Sequence, residues 1–318
     1  MKVGILGAGQ LGRMLALAGI PMGLEFVFLD PAARPCAAVL GEHLRADYDD
    51  ALTIERLAQA ADVVTTEFEN VAAGSMRLAA RHAPVFPSPE ILATTQDRLL
   101  EKDFFQRLGI PTAAYAAIDS RDHLEAFAAI GPCIVKTRRL GYDGKGQYRI
   151  SGHADIDAAW TQLGPVPLIA ETWLNFEREI SIIGVRGRDG GFACYPVAEN
   201  EHRNGVLTLS RCRSGDTIQP LAEDHARRIM TELDYVGVMA IEFFQRGDVL
   251  LANEMAPRVH NTGHWTIEGA ITSQFENHLR AILGLPLGST AARGHCAMVN
   301  CLGSVPDRAA ELSIPGAH

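Results

Sequence analysis

Residues 136–147 read KTRRLGYDGKGQ, a glycine-rich segment that begins where an apolar strand ends. The glycines favour a hairpin, and Lys145 lies among them. Backbone amides and ammonium groups on such a hairpin can face the oxygens of a triphosphate. Predicted strands near 167–174 and 179–185 follow, and mixed strands with hairpins indicate an α+β domain. An ordinary hairpin with solvated charges is the alternative that these residues leave open.

Two acidic residues interrupt apolar strands further along the chain. Glu242 lies in MAIEFF (239–244) and Glu254 in LANEMAPRVHN (251–261), and a tight turn at 246–248 joins the two strands. A carboxylate in such a strand is costly unless it is paired or binds a metal. Mg²⁺ favours one or two carboxylates plus substrate phosphates. The pair therefore predicts a metal site, with salt-bridged core glutamates as the alternative.

The register of this hairpin decides whether the two acids can share one site. If Phe244 opposes Val249, the acids fall on opposite faces of the sheet. A bulge or a loop of odd length would bring them to the same face.

A second motif that suits an anion stands at the N-terminus. GILGAGQLGRM (4–14) places three glycines as G-x-G-x-x-G between a strand and a helix, namely Gly7, Gly9 and Gly12. Asp30 ends the next strand, where an acid for a ribose hydroxyl belongs. The motif therefore predicts either a dinucleotide site or a tight turn without a ligand, since its amides favour any anion.

Composition limits the classes of function. The 318 residues predict two or three domains, and the net charge of -9 argues against nucleic acid as a partner. No apolar run approaches the roughly 18 residues of a membrane span, and no basic region precedes an apolar stretch, so neither a membrane span nor a signal peptide is expected. The six cysteines are scattered without C-x-x-C. Reduced thiols in the cytoplasm are therefore expected.

Four longer stretches carry a resemblance to a known family. They are GAGQLGRML, EFEN (67–70), GYDGKGQ and NEMAPRVHNTGHWTIEGAITSQFENHLRAILGLPL, and the resemblance covers nearly all of residues 1–303. The chain resembles the ATP-grasp superfamily and, within it, the N5-carboxyaminoimidazole ribonucleotide synthases, which are ATP-dependent ligases of purine biosynthesis. In that family the first domain has a Rossmann-like shape but holds no dinucleotide.

The resemblance implies three segments. They are an α/β Rossmann-like pre-ATP-grasp domain at 1–94, an α+β ATP-grasp domain at 95–287, and a short, truncated C-terminal remnant at 288–318. Relatives carry a basic segment beyond this point that helps to bind the ribonucleotide phosphate. Weak binding of the ribonucleotide is therefore expected.

The resemblance also implies a set of site residues. Expected ATP contacts are Arg98, Lys136, Gly141, Tyr142, Asp143, Gly144, Lys145, Gly146, Gln147, Glu171, Thr172, Trp173, Leu174, Glu179, His202, Asn253 and Glu254. Expected Mg²⁺ ligands are Glu242 and Glu254, and Ala256 stands where many ATP-grasp enzymes place an asparagine ligand. Expected contacts of the ribonucleotide are Gln10, Leu11, Gly12, Glu69 and Arg258. Expected catalytic residues are Tyr142, Asp143, Lys145 and Arg258.

The implied reaction is an ATP-dependent carboxylation. Bicarbonate attacks the γ-phosphate of ATP to give carboxyphosphate and ADP, and the amine of 5-aminoimidazole ribonucleotide then takes up the carboxyl group. A formate-dependent phosphoribosylglycinamide transformylase and a D-alanine ligase share the fold but match fewer motifs. A nicotinamide-dependent oxidoreductase that uses the glycine turn and Asp30 is the alternative from a different class. Relatives suggest a homodimer.

Overall fold

The N-terminal part of the chain is a parallel sheet with helical crossovers. The computed structural model describes residues 1–141, 146–301, 303 and 307–318. The strands run in the order β3-β2-β1-β4 and are β1 (Lys2–Leu6), β2 (Glu25–Leu29), β3 (Glu42–Leu44) and β4 (Val63–Thr66). The helices are α1 (Gln10–Gly19), α2 (Ala51–Ala60), α3 (Ala73–Ala79) and α4 (Pro89–Thr95). The strands are apolar or β-branched along most of their length, as expected for a sheet covered on both faces.

A small antiparallel sheet follows, with strand order β5-β8-β6-β7. The elements in chain order are α5 (Arg98–Arg107), β5 (Tyr115–Ile118), α6 (Arg121–Ala128), β6 (Cys133–Thr137), β7 (Gln147–Ile150), α7 (Ile156–Leu163) and β8 (Leu168–Thr172). The apolar faces of α6 and α7 pack on this sheet through Leu124, Phe127 and Ala159, which share one core with Val135 and Ile150. The sheet therefore presents its other face to the rest of the molecule.

A large antiparallel sheet completes the fold. Its path is β14-β13-β9-β11-β12-β15, and β10 pairs with β9 beside it. The elements are β9 (Arg178–Arg186), β10 (Phe192–Cys194), β11 (Ala198–Arg203), β12 (Val206–Cys212), α8 (Gln219–Glu232), β13 (Gly237–Arg246), β14 (Val249–Ala256), α9 (Thr266–Gly269), α10 (Gln274–Leu283), β15 (Cys296–Val299) and α11 (Arg308–Leu312). None of the helices in the described residues is long and apolar enough to cross a membrane.

The predicted fold class is confirmed. Strand β3 is short, with three residues, and pairs only with β2. The proline-rich stretch 84–89 forms an isolated bridge between Val64 and Val85 before Pro89 begins α4. Helix α8 begins at Gln219, and Pro220 suits the first turn of a helix.

The division into domains at 1–94, 95–287 and 288–318 stays a prediction. The last of these segments contributes β15, whose residues Cys296–Val299 pair with β12 of the large sheet. This strand attaches the last segment to the large sheet.

His278 on α10 joins the parallel sheet to the large sheet. Its Nδ1 accepts a hydrogen bond from the backbone of Val238 at 3.1 Å, and its Nε2 lies 3.0 Å from Oγ1 of Thr65. The bond from Val238 fixes the proton on Nε2, so the ring is neutral and donates to Thr65. Burial lowers the pKa of His278 to about 4.

We expect His278 to make stability depend on pH between about 6.5, the value of a free histidine, and 4. In this window the unfolded chain binds a proton that the folded chain does not, so stability is present above pH 6.5 and is lost as pH falls. His278→Gln should reduce the slope of unfolding free energy against pH, measured in urea, by up to about 1.4 kcal/mol per pH unit. Exposed His123→Gln is the control, and equal slopes for all three proteins would contradict this expectation.

Candidate active site

A cleft of about 540 Å³ lies where the three sheets meet. It is lined from the small sheet by Lys136, Gln147, Glu171, Thr172, Trp173 and Leu174, from the large sheet by Glu179, His202, Glu242, Asn253 and Glu254, and from elsewhere by Glu69, Arg98, Gly141 and Arg258. The structure therefore brings together most of the residues that the sequence predicted for a nucleotide and a metal.

A β-bulge places the two predicted metal ligands side by side. From Arg246 opposite Val249 the register runs regularly to Phe243 opposite Ala252, and it then shifts so that Glu242 lies opposite Glu254. Asn253 is the extra residue of β14. Without the shift, Glu254 would lie on the other face of the sheet from Glu242.

The charge of Glu242 is not balanced by its nearest basic neighbour. Nδ1 of His260 lies 4.0 Å from Oε1 of Glu242. Burial, together with the charge of Arg258, lowers the pKa of His260 to about 3, so the ring is neutral. Burial and the facing carboxylate of Glu254 raise the pKa of Glu242. Among the described residues, neither acid forms an ion pair with lysine or arginine, so the salt-bridged alternative does not hold there.

Lys102, on α5, holds the bulge from beneath. Its ammonium donates to the carbonyls of Ala252 at 3.1 Å and Asn253 at 2.8 Å, and it contacts Oε2 of Glu171 at 3.0 Å. The three partners match the three protons of an ammonium group. Only 2% of the side chain is exposed, so these contacts are shielded from water.

Glu101, which precedes Lys102 on α5, fixes β14 at the residue that follows Glu254. Its Oε1 accepts a hydrogen bond from the backbone of Met255 at 2.7 Å. Burial and the charge of Glu254 raise the pKa of Glu101 to about 8. Neither Glu101 nor Lys102 was assigned to the metal site from the sequence. The available signal was their place on the same face of α5 as Phe105, where apolar residues are expected.

Glu171 connects the predicted adenine segment to Lys136, the lysine predicted to contact the phosphates. Its Oε1 lies 2.8 Å from Nζ of Lys136, while its Oε2 contacts Lys102. The two ammonium groups lower the pKa of Glu171 to about 2, against the effect of burial. Glu171 is therefore ionised and directs Lys136 from a fixed position.

Arg98 holds the first part of the glycine-rich segment. Its guanidinium donates to the carbonyls of Thr137 at 3.0 Å and Gly141 at 2.8 Å. Gln147 pairs with Lys136 in the ladder of β6 and β7, and Gly146 has a φ of +69°, which favours glycine. Four predicted residues, Tyr142, Asp143, Gly144 and Lys145, lie outside the described residues.

The walls of the cleft include aromatic side chains that the sequence did not single out. Phe176 and Phe244 stack with centroids 4.5 Å apart, and both line the cleft. Trp173, in the predicted adenine segment, is covered on one side by the guanidinium of Arg149 at 3.9 Å from the ring centroid. A planar base can pack on such surfaces.

Glu179 and His202 form a pair on adjacent strands of the large sheet. Nδ1 of His202 contacts Oε2 of Glu179. Burial opposes the charged ring, but the hydrogen bond to Glu179 and the charge of Glu242 raise the pKa of His202 overall. His202 is therefore protonated more readily than a free histidine, and its positive charge would lie beside the carboxylate of Glu179.

Glu69 and Arg258 form a second pair, between the parallel sheet and the end of β14. Nε of Arg258 donates to Oε2 of Glu69, and its Nη1 donates to the carbonyl of Val259 at 3.0 Å. Although burial opposes ionisation, Arg258 lowers the pKa of Glu69 to about 2. Within the described part of the chain, Nη2 of Arg258 has no hydrogen-bond acceptor.

The glycine turn differs from the expectation. Gln10 is exposed and Leu11 is half-buried, but Gly12 is buried, and its amide donates to Oε2 of Glu67 at 2.6 Å. The amide of Gly12, a predicted contact of the ribonucleotide, is therefore already paired within the protein. None of residues 10–12 is among the described residues that line the cleft.

Two parts of the chain match models of known protein domains. Residues 103–275 match the model of the ATP-grasp domain, and residues 1–96 match that of the ribonucleotide synthetase preATP-grasp domain. The fold and the site thus define an ATP-grasp enzyme.

Two similar proteins show which family of ATP-grasp enzymes the chain belongs to. The chain is 52% identical over 320 residues to N5-carboxyaminoimidazole ribonucleotide synthase from Pseudomonas aeruginosa, which covers 100% of this chain and 89% of that protein. A crystal structure of the synthetase from Thermus thermophilus is 50% identical, with a TM-score of 0.94 over 99% of this chain and 88% of that one. The chain belongs to the N5-carboxyaminoimidazole ribonucleotide synthase family.

One solved relative was captured with its ligands. The synthase from Aspergillus clavatus, in complex with ADP and 5-aminoimidazole ribonucleotide, is 30% identical. The TM-score is 0.89 over 98% of this chain and 85% of that one.

We expect Lys102→Met to destabilise the protein by about 3–5 kcal/mol, because it leaves Glu171 and two carbonyls without their buried partner. Urea unfolding at pH 7 measures the change. Lys2→Met, which removes an exposed ion pair with Glu25, is the matched control and should cost at most about 1 kcal/mol. Equal losses for the two variants would show that Lys102 does not hold the bulge.

Proposed function

We propose that the chain catalyses the ATP-dependent carboxylation of 5-aminoimidazole ribonucleotide with bicarbonate. The products are N5-carboxyaminoimidazole ribonucleotide, ADP and phosphate. Membership of the synthase family supports the substrate and the reaction type. The observation that carries the proposal is the bulged pair Glu242 and Glu254 beside Lys136, since a polyphosphate with its metal needs this combination of charges.

ATP would lie in the cleft between the small and the large sheet. Trp173 and Phe176 offer apolar surface for adenine, and the segment 171–174, which lines the cleft, would meet its edge. Glu179 would accept a hydrogen bond from a ribose hydroxyl, with His202 holding its carboxylate. Lys136 would contact the phosphates, and Arg98 would act by holding the first part of the glycine-rich segment at Thr137 and Gly141.

The donor set at the bulge fits Mg²⁺. Two carboxylates lie opposite each other with no lysine or arginine partner among the described residues, and oxygen ligands are those that Mg²⁺ prefers. Ala256 cannot supply a side-chain ligand, so phosphate oxygens and water would complete the shell. When bound there, Mg²⁺ would neutralise charge on the transferring phosphoryl group.

The residues of this chain would mainly position reactants. An oxygen of bicarbonate attacks the γ-phosphorus of ATP, and the bond to ADP breaks. The amine of the ribonucleotide then attacks the carbon of carboxyphosphate, phosphate leaves, and the nitrogen loses a proton. The guanidinium of Arg258, oriented by Glu69 and Val259, would hold bicarbonate or the departing phosphate through Nη2.

The remaining expectations stay predictions. The roles of Tyr142, Asp143 and Lys145 in the hairpin concern residues outside the described ranges. The contacts of Gln10 and Leu11 with the ribonucleotide, the homodimer and the cytoplasmic compartment also stay predictions.

The direct test is an ADP-release assay with purified protein and Mg-ATP. We expect ADP release to depend on bicarbonate, which supplies the attacking oxygen, and to increase when 5-aminoimidazole ribonucleotide is present to accept the carboxyl group. Parallel assays contain formate with glycinamide ribonucleotide, D-alanine, or NAD. Turnover that depends on one of these instead of bicarbonate would refute the proposal.

We expect Glu242→Gln and Glu254→Gln each to lower ATP turnover at least about a hundredfold, a cost of about 2.7 kcal/mol in the barrier. Each change removes a charge that neutralises the metal while conserving the shape of the side chain. Glu232→Gln, exposed on α8, is the control and should keep full turnover. If either cleft variant turns over ATP as the wild type does at low Mg²⁺, the metal assignment is wrong.

A further inference from the structure

The carboxylate of Glu67 fills the anion site of the glycine turn. Glu67 follows β4 directly, and only 7% of it is exposed. Its Oε1 accepts a hydrogen bond from the amide of Gly9 at 2.5 Å, and its Oε2 accepts one from the amide of Gly12 at 2.6 Å. These amides lie at the N-terminus of α1, where the helix dipole favours a negative charge. The side chain thus takes the place that a phosphate would have in a dinucleotide site.

This side chain explains the first two glycines of the motif. A Cβ atom at Gly7 would lie 2.4 Å from Cγ of Glu67, and one at Gly9 would lie 2.8 Å from Oε1. At Gly12 it would lie 3.1 Å from Oε2, which is a tight contact. Contacts below about 3 Å are not tolerated, so Gly7 and Gly9 make room for a carboxylate of the same chain. No space is left beside these amides for a pyrophosphate.

Asp30, the other half of the dinucleotide pattern, is also occupied. Its Oδ2 accepts hydrogen bonds from the amide of Ala8 at 2.9 Å and the hydroxyl of Tyr48 at 2.8 Å. Its Oδ1 accepts one from the amide of Ala32 at 2.8 Å. Asp30 and Glu67 therefore both stabilise the glycine turn by accepting hydrogen bonds from its backbone amides.

The anchor at Glu67 also sets the position of a residue in the cleft. Glu69 is two residues further on, and its carbonyl accepts a hydrogen bond from Nε2 of Gln96 at 2.7 Å. The strand before the anchor is fixed by Oγ1 of Thr66, which donates to the carbonyl of Leu6 at 3.1 Å. The short segment from Glu67 to Glu69 is thus held at both ends, and Glu69 meets Arg258.

We propose that Glu67 is a built-in anion that replaces a bound phosphate at the glycine turn and acts as a positioning residue for Glu69. The first part goes beyond the proposed function, because it explains why this Rossmann-like domain does not accept a dinucleotide. The second part rests on the proposed function, since it assigns Glu69 to the ribonucleotide side of the cleft.

Chemical rescue tests the first part without any activity measurement. Glu67→Ala removes the non-hydrogen atoms of acetate and leaves two buried amides unpaired. We expect the melting temperature of this variant to fall by roughly 5–10 °C. Added acetate should restore at least half of that loss in a saturating manner, because it binds only the folded state. Sodium chloride at equal ionic strength should not.

Two control variants sharpen this experiment. Glu67→Gln keeps the space filled, so its melting temperature should fall but not respond to acetate. Glu25→Ala, an exposed acid in the same domain, should behave as the wild type does. An acetate response equal in Glu67→Ala and wild type, or no loss of melting temperature in Glu67→Ala, would overturn the proposal.

The kinetics of Glu67→Gln test the second part of the proposal. They can still be measured if Glu67→Ala does not fold. We expect the KM for 5-aminoimidazole ribonucleotide to rise about tenfold while the KM for ATP stays within twofold, because only Glu69 is displaced. A variant that is merely destabilised would lose active enzyme without changing either KM. Equal changes in both values, or no change in either, would refute the positioning role. Wild-type protein without activity would refute the proposed function instead, and acetate rescue would still decide the first part.

Discussion

The whole site depends on one extra residue in a β-hairpin. Asn253 shifts the register of β14 against β13, so that Glu242 and Glu254 share a face. A regular ladder would turn Glu254 towards the core, opposite Ile241. The shift leaves the carbonyls of Ala252 and Asn253 to be satisfied, and Lys102 satisfies them from the buried side. The same ammonium contacts Glu171, so helix α5 links the proposed metal ligands to the proposed adenine segment and to Lys136.

The electrostatics of the cleft follow from this arrangement. The chain as a whole carries a net charge of -9, which would repel ATP and a phosphorylated ribonucleotide. Within the cleft, Lys136 and Arg258 supply positive charge, and each is oriented by a carboxylate whose pKa is low. Among the described residues, the paired acids at the bulge have no lysine or arginine partner. A divalent cation bound to a polyphosphate would neutralise these two acids, while Lys136 and Arg258 would neutralise the phosphates.

The sequence predicted much of the fold because the signals are local. Strands β13 and β14 and their turn follow from apolar runs and Arg246-Gly247-Asp248, and the two acids stand out in those runs. The register was left open, because the bulge is fixed by Lys102, which lies about 150 residues away. The glycine turn is similar: the motif is visible at 7–12, but its occupant Glu67 is more than 50 residues downstream. Contacts at such separation have no periodicity that a single sequence displays.

The site assignments carried by the family resemblance differ in how the structure places them. Residues on strands, such as Glu179 and Glu242, lie in the cleft because strand alternation fixes their direction. Gly12 was transferred from the motif as a substrate contact, whereas its amide is used by Glu67. A motif therefore locates a segment reliably, but the atoms that remain free for a ligand depend on the packing around it.

A crystal structure with ADP and Mn²⁺ would show whether the extra residue Asn253 lets Glu242 and Glu254 bind one metal ion. Anomalous scattering at the manganese edge locates the ion independently of the protein atoms. We expect one peak within coordination distance of oxygen atoms from both glutamates, with ADP phosphate oxygens in the remaining positions. A metal held by only one of the two acids, or a regular register in which Asn253 opposes Glu242, would contradict it.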